Sequence, residues 1–537
     1  MADHYDVIII GTGAGGGTLL HRLAPSGKRI LVLERGPFLP REKDNWSYQG
    51  SFKYFSPEVM LDKDGGEIRP GFSYFVGGNT KVYGAALFRL RERDFEAFQH
   101  CDGISPEWPV KYGDWEPYYA EAERLYQVHG KAGEDPTDPW RAGEYPYPAI
   151  SHEPRIAEVF DELKARGLRP YPAPMGVRLN EAARHLSACI RCDTCDGYAC
   201  LVGAKADAEV SAVRPVMREP NVTLVTEAKV ARLLTSASGR EITGVVAEVR
   251  GETRTFRADV VVVACGAVNS AALLLRSANE RHPRGLANNG SGLVGRNLMK
   301  HVLGSLIAVT TARDNLSKFQ KTIAINDFYW GEPGYPFPMG NVQLMGKTPP
   351  EGFAGDAARY APFTPEEVAR GSVDWWLTTE DLPEARNQVR VSGDKIVIDY
   401  TENNAGPFAR LNERWKGILQ EIDTAGDPRA RTGYFSTKMP MHSLGHQTGT
   451  CKFGEDRATS VLDLNCRAHD VDNLYVVDGS FFVSSGAVNP TLTIIANALR
   501  VGDHLLDRLG ARVPETASLP VAGRVGARLD VPERAMV

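Results

Sequence analysis

From Tyr5 to Ile10 the chain reads YDVIII, an apolar, β-branched run with no polar face, the pattern of a strand buried on both sides. Gly11-Thr-Gly13-Ala-Gly-Gly16 follows without a gap. Thr18 to Ala24 then predicts a helix, Pro25-Ser-Gly27 a loop, and Arg29 to Leu33 a second buried strand closed by Glu34. Asn221 to Val230 opens a series of short β segments. Ile242–Val249 and Glu252–Phe256 predict a hairpin about Gly251. Asp259 to Ala264 predicts another buried strand, and a helix through Leu273, Leu274 and Leu275 follows Gly266. Asn387–Val391 and Lys395–Tyr400 alternate, which predicts a second hairpin across Ser392-Gly-Asp394. Leu411, Trp415, Ile418, Leu419 and Ile422 recur at helical spacing within Phe408–Ile422. Near the end, Asn489 reads as the N-cap and Pro490 as the first residue of a helix over Leu492–Leu509. Residues 100–150 and 328–385, dense in Pro, Tyr and Trp, predict long loops that wall a substrate or decorate the surface. No internal repeat is present, and the tail after Gly510 predicts either disorder or packing on a partner.

The opening segments form strand, glycine turn, helix, strand, acid. GxGxxG alone has low specificity, because 53 glycines give it by chance about 0.5 times in 537 residues. Its context supplies the meaning. Gly11 permits a tight turn, Gly13 lets backbone approach a pyrophosphate, and Gly16 lets the helix pack on the strand. The helix N-terminus turns free N–H groups and a positive dipole toward phosphate. Glu34 comes 23 residues after Gly11, where a carboxylate accepts hydrogen bonds from ribose hydroxyls. The motif does not separate FAD from NAD; its place at the start of a long chain favours a resident flavin.

Composition removes several classes. At 42% apolar and 24% charged residues, the chain is neither disordered nor fibrous. A net charge of −5 gives no general reason to bind nucleic acid or anionic membrane. No stretch reaches the roughly 18 apolar residues of a membrane span. The first strand begins almost at once, with no basic leader before it, so the expected location is the cytosol. Four of eight cysteines, Cys189, Cys192, Cys195 and Cys200, lie within twelve residues. That spacing admits an iron–sulfur cluster, zinc, a disulfide or redox pair, or plain thiols; it departs from ferredoxin spacing, and no metal is assigned.

Toward the C-terminus stand His442-Ser-Leu-Gly-His446-Gln-Thr-Gly-Thr-Cys-Lys-Phe-Gly454, then Asp478-Gly-Ser480 and Gly486-Ala-Val-Asn489-Pro-Thr491. With Gly77-Gly-Asn-Thr80 and Gly295-Arg-Asn-Leu-Met-Lys-His301, this set resembles the glucose–methanol–choline (GMC) family of FAD-dependent oxidoreductases over nearly the whole chain. The resemblance implies an α/β + β architecture: a Rossmann-like FAD-binding domain (1–95, 205–310 and 440–510) and a substrate-binding domain on an antiparallel sheet (96–204 and 311–439), with 511–537 as a tail. It puts the catalytic base on His446, with His442 as the rival, and the second active-site position on Asn489. It assigns Gly11, Gly13, Gly16, Glu34, Gly77, Gly78, Thr80, Val230, Asp478, Gly479, Pro490 and Thr491 to the cofactor. Asp478 also reads as a plain turn carboxylate.

The chemistry suits these types. Oxidising an alcohol removes a hydroxyl proton and passes a hydride to flavin N5. A neutral imidazole takes the proton, and an amide holds the substrate oxygen without competing for it. A helix N-terminus at the flavin pyrimidine stabilises negative charge. Some family members tether FAD through a histidine at the position held here by Val82, so non-covalent FAD is expected. Tyr83 replaces a common Asn, and Phe453 a common Met. The expected reaction is oxidation of a CH–OH group in a sugar, sugar-like or polyol alcohol, as in pyranose-oxidase-like enzymes, with oxygen, a quinone or another acceptor. Two rivals stand beside it: an aliphatic or aryl alcohol dehydrogenase carrying an iron–sulfur cluster at Cys189–Cys200, and a non-redox GMC-type lyase. A homo-oligomer is compatible with either.

Overall fold

The computed structural model describes residues 4–287, 291–423 and 429–512. Of the expected tail, 511–537, residues 513–537 lie outside the described residues.

The opening strand β1 (His4–Ile10) and strand β2 (Ile30–Leu33) pair in parallel, with Ile8 opposite Leu31. Helix α1 (Ala14–Leu23) crosses between them. Val222–Val225 extends the parallel sheet beyond β2, and Glu252–Val263 pairs β1 on the other side, with Val7 opposite Val260. Leu474–Val476 adds a last parallel strand against Glu252–Val263. Every side chain of β2 is buried, as its unbroken apolar run requires.

Glu252–Val263 corrects the sequence expectation. The two segments expected at 252–256 and 259–264 are one twelve-residue strand that changes partner along its length. Its first four residues are exposed and the next four exposed or half-buried; residues 252–256 pair antiparallel with Ile242–Val249, which pairs in turn with Ala228–Thr235. From Arg257 on it joins the parallel sheet, and its last four residues are buried there.

The second sheet is antiparallel throughout. Its order is Thr432–Lys438, Val302–Thr310, Ser372–Thr379, Asn341–Leu344, Ile323–Ile325, Tyr171–Pro172. Helix Ala405–Asp423 covers one face and buries the expected stripe of Leu411, Trp415, Ile418, Leu419 and Ile422. Trp415 meets Trp375 edge-on at 4.9 Å. Residues 328–385, expected as loop, therefore supply two strands of this sheet. Ser372–Thr379 is buried on nearly every residue, so no alternation marks it. Likewise 100–150 contains a fourteen-residue helix, Tyr112–Leu125, with Pro117 inside it. The expected second hairpin is present, with Ser392 opposite Lys395 and Gly393 at φ +59°.

The C-terminal helix Thr491–Arg508 packs on both α1 and Tyr112–Leu125. Tyr119 Oη and Thr493 Oγ1 lie 2.8 Å apart across the second contact. Among the described residues no helix is long and apolar enough to cross a membrane.

Candidate active site

One cavity of about 700 Å³ runs from the glycine turn after β1 to the segments around His446 and Asn489. Gly11 holds φ +98°, and a Cβ there would stand 2.4 Å from Ala264 O. A Cβ on Gly16 would stand 2.1 Å from Gly11 O. Gly15, which the sequence pattern did not single out, is as tightly placed: its Cβ would lie 2.0 Å from Val477 O, just past the last parallel strand. Gly13 differs from all three. Nothing lies within 4 Å of its would-be Cβ, it lines the cavity, and it starts α1 without a side-chain cap.

A second glycine turn meets the first. Gly77 and Gly78 hold φ +101° and +55°, and a Cβ on Gly78 would lie 3.1 Å from Gly13 Cα. Thr80 braces this turn, donating to Gly77 O at 2.5 Å and accepting from Ala208 N at 2.9 Å. Glu34 is buried on the cavity wall. Its carboxylate accepts from Thr12 N (3.0 Å), Thr12 Oγ1 (2.6 Å) and Gly36 N (3.0 Å), while burial raises its pKa. Thr12 Oγ1 also accepts from Gly77 N at 3.0 Å, so Glu34 ties the two turns together. Val230 lines the same end.

Asp478 ties its own turn to the start of the helix Ala267–Arg276. It accepts from Ser480 N at 2.9 Å, Gly266 N at 3.0 Å and the hydroxyls of Ser480 and Ser270, and burial raises its pKa. Gly479, Pro490 and Thr491 follow along the cavity. Pro490, not Asn489, is the N-cap of the last helix. The Asn489 side chain is used elsewhere: Oδ1 accepts from Gln343 Nε2 at 2.9 Å, and Nδ2 lies 3.4 Å from His446 Nε2.

His446 is half-buried on the cavity wall. Its Nδ1 lies 2.9 Å from Nδ1 of His301, with the rings edge to face. Burial first, then His301 and the Lys321 ammonium, lower its pKa to about 3. The rival His442 sits in a separate 3-10 turn, Met441–Ser443, that ends before His446, so the two do not share a helix.

Facing His446 and Asn489 are residues that sequence reading did not single out. Lys321 Nζ donates to Asp196 Oδ2 at 3.1 Å, and Trp376 Nε1 donates to the same oxygen at 3.0 Å. Burial opposes the Asp196 carboxylate, but Lys321, Trp376 and Gly346 outweigh it and hold its pKa below the usual range. Gln343 lines the cavity with an Oε1 that has no protein partner. These are ordinary polar residues on strands and loops, and only the fold brings them together.

The cysteine segment forms part of this wall through Asp196 and Gly197. Its four thiols are unpaired, and burial pushes Cys189 up to about 11 and Cys195 to about 12. Among the described residues no group of three or more His, Cys, Asp or Glu side chains is set to hold a metal. A buried lysine organises the loop: Lys205 Nζ donates to the carbonyls of Tyr83 (2.7 Å), Cys195 (2.6 Å) and Tyr198 (2.7 Å). Phe453 fits where a Met is common, its ring packing on Trp108 at 5.7 Å and Phe481 at 5.5 Å.

The wall suits FAD. An uncapped helix start beside an unobstructed glycine fits a diphosphate, Glu34 and Val230 lie at one end, and a helix N-terminus with His446 and Asn489 lies at the other.

A parallel sheet with a glycine-turn nucleotide crevice, joined to an antiparallel sheet across a shared cavity, defines a flavoprotein oxidoreductase fold. The GMC oxidoreductase N-terminal and C-terminal family profiles match residues 68–303 and 383–498. The chain belongs to the GMC oxidoreductase family, whose enzymes use FAD. It is 31% identical to paromamine 6'-oxidase of Streptomyces fradiae, over 95% of this chain and 93% of that one. It is 30% identical to 6'''-hydroxyparomomycin C oxidase of Streptomyces lividus, over 94% and 92%. To the fructose dehydrogenase large subunit of Gluconobacter japonicus it is 26% identical, over 94% and 98%. Pyridoxine 4-oxidase from Mesorbium loti shares the fold, with a TM-score of 0.65 at 20% identity over 93% of this chain and 99% of that one.

Proposed function

We propose that this chain oxidises a CH–OH group of a sugar, sugar-like or polyol alcohol with non-covalently held FAD. The observation that carries the reading is the pair His446 and Asn489, 3.4 Å apart between Nε2 and Nδ2, on the wall of the cavity that also contains the glycine turn. When bound, FAD supplies the two-electron acceptor for the carbon-bound hydrogen. The protein supplies the rest. His446 is neutral at working pH and takes the hydroxyl proton, and Asn489 donates to the substrate oxygen. Gly13, Gly78 and the start of α1 hold the diphosphate, Glu34 the ribose, and Gly479 to Thr491 the ring end. Val82, which lines the cavity, has no group that could bond covalently to a flavin. The parallel sheet serves as the flavin domain and the antiparallel sheet as the substrate domain.

Three features support a polyhydroxylated substrate: the free Gln343 Oε1, the Lys321–Asp196 pair and the Trp376 ring, all on the cavity wall. Relatives named for oxidising paromamine and for dehydrogenating fructose point the same way. The electron acceptor is oxygen or a quinone-like carrier.

Anaerobic addition of a panel of sugars, polyols, aliphatic and aryl alcohols tests the reading. A sugar or polyol should bleach the flavin absorbance within turnover time. Bleaching by aryl or long-chain alcohols alone would move the substrate class, and no bleaching by any alcohol would favour a non-redox lyase.

A further inference from the structure

His301 closes the Gly295–His301 segment and is fully buried, with its backbone N–H donating to Asp381 Oδ1 at 2.9 Å. Its Nε2 lies 3.2 Å from the carbonyl oxygen of Ser485. A carbonyl only accepts, so Nε2 carries a hydrogen. Burial lowers the pKa of His301 and keeps the ring neutral, which leaves Nδ1 bare. That lone pair stands 2.9 Å from His446 Nδ1, and a contact this short between two nitrogens needs one hydrogen. The hydrogen therefore belongs to His446 Nδ1. A neutral His446 with Nδ1–H has its lone pair on Nε2.

A separate chain of amides reaches His446 from the opposite side. Its anchor is the Asp135 carboxylate, paired with Arg91 at 2.5 Å. Asn326 Nδ2 lies 2.9 Å from Asp135 Oδ2, and a carboxylate forces the amide to turn its nitrogen that way. The Asn326 carbonyl then accepts from Asn341 Nδ2 at 2.8 Å. Asn341 Oδ1 accepts from Gln343 Nε2 at 3.2 Å, and the same nitrogen donates to Asn489 Oδ1 at 2.9 Å. Each amide fixes the next, so Asn489 must present Nδ2 to His446 Nε2. An amide N–H only donates, so Nε2 must be the acceptor.

Two independent networks thus require the same tautomer. We propose that His301 is a positioning residue that holds His446 as its Nδ1–H tautomer, so that the Nε2 lone pair faces the cavity as the proton acceptor. This rests on the reading of His446 as the base, and it extends that reading to how the base is kept in its productive form. The device resembles the oriented histidines of other acid–base sites, with a neutral imidazole in the orienting role instead of a carboxylate.

The test is a tautomer measurement on 15N-histidine-labelled protein without substrate, by long-range 15N–1H correlation, with His446 assigned from the signal lost in His446→Gln. The wild type should show protonated Nδ1 and bare Nε2. His301→Leu should give a mixture of tautomers and lower kcat about 10–100-fold with KM and flavin content little changed. His301→Asn should restore most of both, because its oxygen can replace the Nδ1 lone pair and asparagine tolerates the left-handed backbone at φ +66°. Protonated Nε2 in the wild type would overturn the proposal even if no variant folded. So would an unchanged tautomer and unchanged kcat in a folded His301→Leu. Failure of all alcohols to bleach the flavin would instead sink the functional reading, without altering the tautomer spectrum.

Discussion

The environment of His446 decides the pH at which the site works. An imidazole at its ordinary pKa near 6.5 loses its base form in mild acid. Here burial, His301 and Lys321 lower that value to about 3. The active form is the unprotonated one, so lowering the pKa moves the loss of activity to lower pH. The profile of kcat/KM should be flat from pH 7 down through pH 5; an acid limb near 6.5 would place the base elsewhere. His446→Ala should lower kcat about 10²–10⁴-fold and leave FAD bound, as read by flavin-to-protein absorbance. At this scale the sequence was informative where chemistry forces a residue type. His446 and Asn489 stood out through the motifs that resemble the GMC family, and proton transfer and oxygen binding suit an imidazole and an amide. Lys321, Gln343 and His301 carried no such mark, because their roles come from neighbours distant in the chain.

Among the secondary-structure elements, the glycines divide by what lies behind them. Gly13 has open space beyond its would-be Cβ and an ordinary φ of −66°, so Gly13→Ala should fold normally and lose cofactor. Chemical unfolding of the flavin-free variant should fall within about 0.5 kcal/mol of wild type, while flavin retained after gel filtration drops. Gly15→Ala should do the reverse, costing about 1–3 kcal/mol of stability, because its Cβ would press into the Val477 carbonyl. The local glycine motif was readable because turn, helix and strand lie next to one another in sequence. Gly15 was not, since the strand it abuts comes from the other end of the chain. The hairpin at 388–399 and the helix at 405–423 were readable by their periods. Ser372–Thr379 hid behind burial on both faces, and Tyr112–Leu125 behind an internal proline.

Across the whole molecule, the cysteine loop gathers around one buried ammonium. Lys205 is buried, and its ammonium gathers three backbone carbonyls from two segments. Lys205→Met should leave those carbonyls unsatisfied, costing roughly 3 kcal/mol or more. It should also loosen the loop and expose the buried Cys189, read as faster reaction of that thiol with an aromatic disulfide reagent, whereas loss of the nearby ammonium raises the Cys195 pKa and opposes its reaction. Unchanged Cys189 kinetics in a folded variant would show that Lys205 does not clamp the loop. The spacing of the four cysteines left a cluster, zinc, a disulfide or redox pair and plain thiols open; the fold places the segment in a wall that presents Asp196 to the cavity.

The strand Leu474–Val476 completes the parallel sheet, and the helix that follows seals α1 from behind. Both lie far downstream of the glycine turn in chain order. A polypeptide cut before Leu474 would keep its glycine turn yet lack the strand and helix that back it. Such a fragment should purify colourless, while the whole chain comes off the column yellow.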